Sequence, residues 1–177
     1  GSIASWGLVD STSEWSRMKN QYGDRLDWDE DGTKLRKEYF DLIHSFNPIR
    51  FNPEEWAEFA KENCFKYLLL TTKHHDGFCM WDTKETDFKV TSENCPFHTH
   101  KNSDIVKSMF NAFRNKGLGI GAYFSKPDFH NQNYWEKEIS ENGFTDRIPT
   151  YDINEKPEKW KAFTKFTHNQ MEELISE

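Results

Sequence analysis

Segments with helical spacing of apolar residues alternate with short apolar runs, and this alternation is the strongest constraint on the fold. The 177 residues predict helices over 53–63, 104–116 and 157–177, separated by strands over 67–72 and 119–125. Helix, strand, helix, strand, helix is the order of a parallel α/β protein, whose helices cross back over the sheet. We therefore expect a parallel sheet packed against helices.

Residues that favour helix ends mark the boundaries of these helices. Asn52 followed by Pro53 is typical of an N-cap and a first helical residue. Ser103 is the predicted N-cap of the second helix, which should end at Lys116-Gly117. The spacing predicts the inward-facing side chains of the first and third helices: Trp56, Phe59, Ala60, Trp160, Phe163, Phe166, Met171, Leu174 and Ile175.

The first strand is predicted to be covered on both faces, because Leu68, Leu69 and Leu70 leave no polar alternation. Distinctive polar residues follow both strands, at the end where a parallel barrel places its chemistry. A complete (β/α)8 barrel needs about 250 residues. We therefore expect part of a barrel, with apolar surface exposed on Leu68–Leu70 and along helix 157–176. Ile3–Trp6 is a further, shorter strand prediction.

Composition excludes several classes of function. No apolar run, Tyr67-Leu68-Leu69-Leu70 included, approaches the ~18 residues of a membrane span. A net charge of -7 provides no basic footprint for nucleic acid. The three cysteines are too few and too irregularly spaced for a disulfide framework or a CxxC metal site. Aromatic residues make up 16% of the chain; they fill cores, and their rings also stack on sugars.

The run Lys73-His74-His75-Asp76-Gly77-Phe78 directly follows the first strand and carries the clearest chemistry. Neighbouring side chains on an extended backbone point to opposite sides, so His74 and His75 are not expected to chelate one metal ion. Each imidazole can donate to and accept from hydroxyl groups, with Lys73 and Asp76 predicted to fix tautomer and orientation. The alternative is a strand end whose polar residues merely meet solvent.

Aromatic and acidic side chains near the predicted strand ends favour a polyol ligand over that alternative. They are Trp6, Glu14, Trp15, Trp81, Tyr123, Phe129, Tyr134 and Trp135. Each aromatic residue taken singly belongs more often to a core than to a cleft. We interpret His98-Thr99-His100 as a solvated loop, and a metal-dependent hydrolase stays open only for the histidine pair.

Several runs, in this order along the chain, resemble the α-L-fucosidases of glycoside hydrolase family 29. They are Phe51-Asn52-Pro53-Glu54-Glu55-Trp56-Ala57, Lys66-Tyr67, Thr71-Thr72-Lys73-His74-His75-Asp76-Gly77-Phe78-Cys79-Met80-Trp81-Asp82, Thr86-Asp87-Phe88, Ser103-Asp104-Ile105-Val106 and Gly121-Ala122-Tyr123-Phe124-Ser125. The resemblance is strong over residues 47–130, and the run 73–78 is its most specific part.

The resemblance implies a (β/α)8 TIM-like catalytic barrel that hydrolyses terminal α-L-fucose with retention of configuration, without a cofactor. Residues 1–177 are then the N-terminal part of a glycoside hydrolase domain that continues beyond 177. The implied substrate-binding residues, with Trp81 added from the aromatic pattern, are His74, His75, Tyr123, Trp6, Glu14 and Trp81. Lys73 and Asp76 support them, and no metal is expected.

Catalysis by retention needs a carboxylate nucleophile and a separate acid/base, with carboxyl groups about 5–5.5 Å apart. The resemblance implies that both follow Glu177, so we expect this fragment alone to be inactive. Glu14, Asp76 and Asp128 keep supporting or substrate-contact roles. Where the family's first strand usually ends in His-Trp-Gly, this chain has Ser5-Trp6-Gly7, and a missing donor weakens recognition of the hydroxyl it served by ~1–3 kcal/mol.

The expected partner is a fucosylated oligosaccharide or glycoconjugate, with no nucleic acid and no membrane span. The resemblance also implies an extracytoplasmic location, periplasmic or secreted. The alternative function, motivated by Ser5, is a sugar-binding and catalytically inactive relative of the same fold.

Overall fold

The computed structural model describes residue 37 and residues 39–135 and 149–176. Its main helices and strands are α1 (Pro53–Glu62), β1 (Tyr67–Lys73), α2 (Ile105–Asn115), β2 (Gly119–Phe124) and α3 (Pro157–Ser176), with short 3-10 helices at Leu42–Ser45 and Pro96–Thr99. The predicted order of helices and strands is confirmed. The predicted strand at 3–6 lies outside the described residues.

β1 and β2 form a two-stranded parallel sheet, and α2 is the crossover between them. The register runs from Tyr67 opposite Gly119 to Lys73 opposite Phe124, with a slip between Thr71 and Lys73. A slip of this kind bends a strand locally and re-aims the side chains that follow it. The irregularity therefore lies immediately before the histidine pair.

β1 is covered on one face only within the described residues. Leu68 and Leu70 pack into the hydrophobic core, whereas Tyr67 and Leu69 are 68% and 62% exposed. The prediction of a strand covered on both faces is therefore wrong for this part of the chain. The expected apolar exposure is confirmed at Leu69. Across 39–135 and 149–176, no helix has the length and apolar character needed to cross a membrane.

α1 packs with its small residues rather than its large ones. Ala57 and Ala60 are buried, whereas Trp56 and Phe59 are 58% and 62% exposed, so the prediction that these rings face the core is wrong. Two alanines one turn apart let the helix backbone approach α2 closely. Lys116 also forms an ion pair with Glu58, which joins the end of α2 to α1.

The N-cap of α2 is Asp104, one residue later than the predicted Ser103. The carboxylate of Asp104 accepts hydrogen bonds from two backbone groups, Lys107 N at 3.0 Å and Asp82 N at 3.0 Å. One side chain thus caps the helix and holds the loop after β1. The inward face of α2 consists of Ile105, Val106, Met109, Phe110, Ala112 and Phe113.

α3 combines apolar and polar residues on its buried face. Phe163 and Leu174 are buried as predicted. Met171 and Ile175 are 37% and 82% exposed, so the prediction that they face inward is wrong, whereas the expected apolar exposure along helix 157–176 is confirmed. Gln170 lies on the same helix face as Phe163 and Leu174 and is fully buried. This face of α3 is turned toward the end of β1, where Lys73 donates a hydrogen bond to the Gln170 side-chain amide.

Candidate functional site

The segment 74–78, which we call the histidine loop, leaves β1 and returns beside it. Lys73 and Cys79 pair across its base in an antiparallel backbone bridge. Met80 N donates to Thr72 O at 2.9 Å, and inside the loop Gly77 N donates to His74 O at 3.0 Å. Both ends of the loop are thereby held by backbone hydrogen bonds.

Gly77 is required by the geometry of this loop. Its φ of +85° lies in the left-handed region that residues with a Cβ rarely adopt. A Cβ at this position would lie 2.3 Å from Asp128 Oδ1 and 2.9 Å from the Cβ of His130. The loop therefore packs directly against the segment that follows β2.

The structure brings His74, His75 and Tyr123 together. The two imidazole centroids are 4.8 Å apart with an interplanar angle of 62°. The His74 ring is stacked with the Tyr123 ring at 6.1 Å and 22°. The prediction that the histidines point to opposite sides is wrong, because β1 ends at Lys73 and the alternation of an extended strand does not continue into the loop.

Tyr123 lies near the end of β2 and presents the accessible ring of this group. It is 41% exposed, and its hydroxyl accepts a hydrogen bond from Ser125 Oγ at 3.3 Å. His74 and His75 are partly exposed beside it. Two imidazoles and a phenol can both donate to and accept from ligand hydroxyls.

His75 is held by the segment after β2. Its ring is stacked with Phe129 at 5.7 Å and 26°, and its carbonyl oxygen accepts a hydrogen bond from Phe129 N at 2.8 Å. Phe129 itself is 1% exposed. A buried aromatic ring thus fixes the backbone and the ring face of His75 together.

Asp76 is fully buried beneath the histidine loop. Its carboxylate accepts hydrogen bonds from the Tyr39 hydroxyl at 3.1 Å and from Phe78 N at 3.1 Å. These contacts tie the turn of the loop to the segment before α1. The predicted orientation of an imidazole by Asp76 stays a prediction.

Lys73 is also fully buried, and its ammonium group is satisfied by side chains from two other segments. Nζ donates to Asp128 Oδ2 at 3.1 Å and to Gln170 Oε1 at 2.8 Å. It also lies 4.4 Å from the centroid of the Phe124 ring, within the range of a cation–π interaction. Lys73, which was predicted to support His74, is thus itself held by Asp128 and Gln170.

Asp128 organises the segment after β2. Its second oxygen, Oδ1, accepts hydrogen bonds from His130 N at 3.0 Å and from Asn131 N at 2.9 Å. Both oxygens of this buried carboxylate are therefore bound by donors. Asp76 and Asp128 are held as structural acceptors, and neither is presented as a nucleophile.

The other predicted site residues have different environments. Trp81 is 2% exposed, and its indole N–H donates to Glu173 Oε2 at 2.9 Å, which favours a packing role over a sugar contact. Its contact with substrate stays a prediction. Trp6 and Glu14 lie outside the described residues.

Aromatic residues after β2 pack against α3 instead of lining a cleft. The rings of Phe129 and Trp135 are 3.9 Å apart at 80°, and Tyr134 lies 4.7 Å from Phe163. Trp160 and Phe166 are partly buried on the same cluster. The aromatic density of this region therefore contributes mainly to a core below the site.

Burial raises the pKa of the Cys79 thiol, with a smaller opposing effect from Lys73. The thiol therefore stays protonated at neutral pH and donates to Gly77 O at 3.4 Å.

In the part of the chain that the structure describes, no group of three or more His, Cys, Asp or Glu residues is placed to hold a metal ion.

Sequence reasoning missed Gln170, although a signal for it exists. Phe163, Thr167, Gln170 and Leu174 follow the spacing of one helix face, and all four are buried. A glutamine on such a stripe indicates a buried polar partner. The partner, Lys73, is distant in sequence and could not be identified from the stripe alone.

A parallel βα arrangement with imidazole and phenol groups at the ends of both strands defines an α/β protein with a hydrogen-bonding edge for a polar ligand. The sequence profile of the alpha-L-fucosidase family matches residues 1–177, and the chain belongs to that family. The resemblance inferred from the runs around the histidine loop is thereby confirmed.

Relatives from a plant and from human share moderate identity with the chain. It is 38% identical to alpha-L-fucosidase 1 of Arabidopsis thaliana over 89 residues, 50% of this chain and 17% of the plant protein. It is 33% identical to the tissue alpha-L-fucosidase of Homo sapiens over 107 residues, 60% of this chain and 21% of the human protein. The chain thus spans a small part of the length of either relative.

Solved structures of the family share the fold of the described residues. An α-L-fucosidase from Bacteroides thetaiotaomicron has a TM-score of 0.64 and 31% identity, covering 80% of this chain and 28% of that one. An α-L-fucosidase from Lactobacillus casei in complex with α-L-fucose product has a TM-score of 0.60 and 29% identity, covering 80% of this chain and 44% of that one.

Proposed function

We propose that the protein is an α-L-fucosidase: a retaining exo-glycosidase that hydrolyses terminal α-L-fucose from glycans or glycoconjugates. The observation that carries the proposal is the cluster of His74, His75 and Tyr123 at the ends of the two strands, in a member of the α-L-fucosidase family. A structure of the Bacteroides relative was trapped as a covalent intermediate with 2-fluoro-fucosyl fluoride, which supports retention of configuration here.

In this proposal, residues 1–177 form the N-terminal part of a (β/α)8 catalytic barrel. Support comes from the parallel pairing of β1 and β2 through a helical crossover and from the small share of the solved relatives that the chain covers. The nucleophile and the acid/base are supplied by residues after Glu177. We also propose an extracytoplasmic location, which cell fractionation tests: recovery with the cytoplasmic markers would contradict it.

His74, His75 and Tyr123 recognise the sugar rather than break the bond. Each offers a donor or acceptor to a hydroxyl, and the rings stack or abut so that the three polar groups have fixed relative positions. Loss of one neutral hydrogen bond to substrate costs about 1–1.5 kcal/mol, which corresponds to about a tenfold loss in kcat/KM.

The experiment uses the full-length protein and p-nitrophenyl α-L-fucoside, with His75→Ala and Tyr123→Phe as test variants. Both should lower kcat/KM by about tenfold or more. Tyr67→Phe, on an exposed ring at the opposite end of the sheet, and His168→Ala, on an exposed position of α3, are the matched controls. They should keep wild-type kinetics.

Unchanged turnover in both test variants would remove the assigned roles, and no hydrolysis of any fucoside by the wild type would defeat the enzymatic proposal. Fucose binding without turnover would instead support the inactive, sugar-binding relative. Full activity after EDTA treatment is expected, and its loss would revive the metal-dependent alternative.

A further inference from the structure

We propose that Gln170 is a positioning residue for the sugar-binding imidazoles, acting as a clamp on both ends of the histidine loop. Gln170 acts through the two residues to which it is hydrogen-bonded. Its amide oxygen accepts from Lys73 Nζ at 2.8 Å, and its amide nitrogen donates to Cys79 Sγ at 3.3 Å. Lys73 and Cys79 are the two residues that flank the loop at 74–78.

The chemistry of the clamp uses both halves of a primary amide. A primary amide carries an acceptor and a donor on one planar group, so Gln170 can bind the Lys73 ammonium and the Cys79 sulfur at once. All three side chains are fully buried, so no water competes for these bonds. An apolar residue of the same length would leave a buried ammonium short of one acceptor, which is costly.

The clamp reaches the ligand-binding rings through Lys73 and Asp128. Lys73 precedes His74 in the chain and its carbonyl oxygen accepts from Ser125 N at 3.1 Å. Its ammonium binds Asp128, which directly precedes the Phe129 that stacks on His75. Loss of one Lys73 partner therefore shifts the segments on both sides of the histidine pair.

The inference rests on the proposed fucosidase function. Two readouts distinguish a failure of the clamp from a failure of that function. In full-length Gln170→Met, KM for p-nitrophenyl α-L-fucoside should rise about tenfold while kcat stays within about threefold, because binding geometry is lost and the reacting groups remain. Gln170→Glu keeps an oxygen acceptor for Lys73 and should raise KM less.

The second readout does not need activity. In spectra of protein labelled at the histidine 13Cε1 atoms, and assigned by single histidine substitutions, the cross-peaks of His74 and His75 should shift in Gln170→Met. The cross-peaks of His44 and His168, both exposed and outside the clamp, should not move.

Met109→Val is the control for a merely structural effect. Met109 is 1% exposed on α2, in a cluster that contains none of the clamp residues, so this variant should lower stability and leave KM and both cross-peaks unchanged. Wild-type KM and unshifted cross-peaks in Gln170→Met would overturn the inference, as would equal changes in Met109→Val. If the wild type does not hydrolyse the fucoside, the proposed function fails and the cross-peaks alone decide the clamp.

Discussion

The C-terminal ends of α1 and α2 predict that Cys64→Gly stabilises the protein. After α1, Cys64 has a φ of +61°, Cys64 N donates to Lys61 O at 3.1 Å and Phe65 N donates to Ala60 O at 2.9 Å. These two bonds form a Schellman motif, in which the left-handed position is usually glycine. Among the residues that the structure describes, Cys64 is the one non-glycine residue with a positive φ.

α2 ends in the same motif with the usual residue. Gly117 has a φ of +70°, Gly117 N donates to Arg114 O at 2.9 Å, and Leu118 N donates to Phe113 O at 3.0 Å. A Cβ added to Gly117 would meet no atom within 4 Å. The two helix ends therefore differ in the Cβ at one position and provide an internal comparison.

The magnitude follows from two opposing terms. A left-handed residue with a Cβ costs roughly 1–2 kcal/mol, whereas glycine gives the unfolded chain extra freedom worth about 0.4–1 kcal/mol. The exposed Cys64 side chain contributes little packing. Cys64→Gly should therefore raise the free energy of unfolding by about 0.5–1 kcal/mol, and Gly117→Ala should lower it by a similar amount.

Urea unfolding of the full-length protein measures these changes through the midpoint at constant slope. Cys64→Ala is the control, because it removes the thiol and keeps the Cβ, and it should leave the midpoint close to wild type. A gain in Cys64→Ala equal to that in Cys64→Gly would assign the effect to the thiol and refute the backbone argument. So would a lower midpoint in Cys64→Gly.

Two further predictions concern the loops around the site. Gly77→Ala should lower the free energy of unfolding by about 3 kcal/mol or more, because it combines a left-handed backbone with a clash against Asp128; a urea midpoint like that of wild type would contradict this. Hydrogen bonds from Lys84, then Lys89, hold the pKa of Asp82 below its ordinary value. Its stabilisation is therefore present above the ordinary pKa of ~4 and is lost as pH falls through the folded-state pKa. Asp82→Asn should be less stable than wild type from about pH 5 to 8, and the difference should narrow below about pH 4 in denaturation series; a difference that widens on acidification would refute this.

Local patterns predicted the elements of the fold well but not their faces. The helices and strands were found because apolar spacing and cap residues are local signals. At the start of α2, Ser103 and Asp104 are both competent caps. Asp104 prevails because its other oxygen is held by Asp82 N, a tertiary contact that local sequence does not contain.

The residues of the candidate site were predictable, whereas their geometry was not. The run 73–78 identified His74 and His75, yet the rings lie side by side because the strand ends at Lys73 and alternation does not continue through His74 and His75. Trp56 and Phe59 are exposed because α1 presents its alanines to α2, and helical spacing alone does not distinguish the two faces.

The contacts of α3 have a consequence for the order in which the protein folds. Lys73 and Gln170 are 97 residues apart in sequence, and Trp81 and Glu173 are 92 apart. Contacts of such separation form late, because the intervening chain must first be closed into a loop. At a synthesis rate of about 5–20 residues per second, Gln170 is added about 5–20 seconds after Lys73. The residues of the histidine loop are therefore synthesised early, but the contacts that hold the loop form only after α3 has been synthesised.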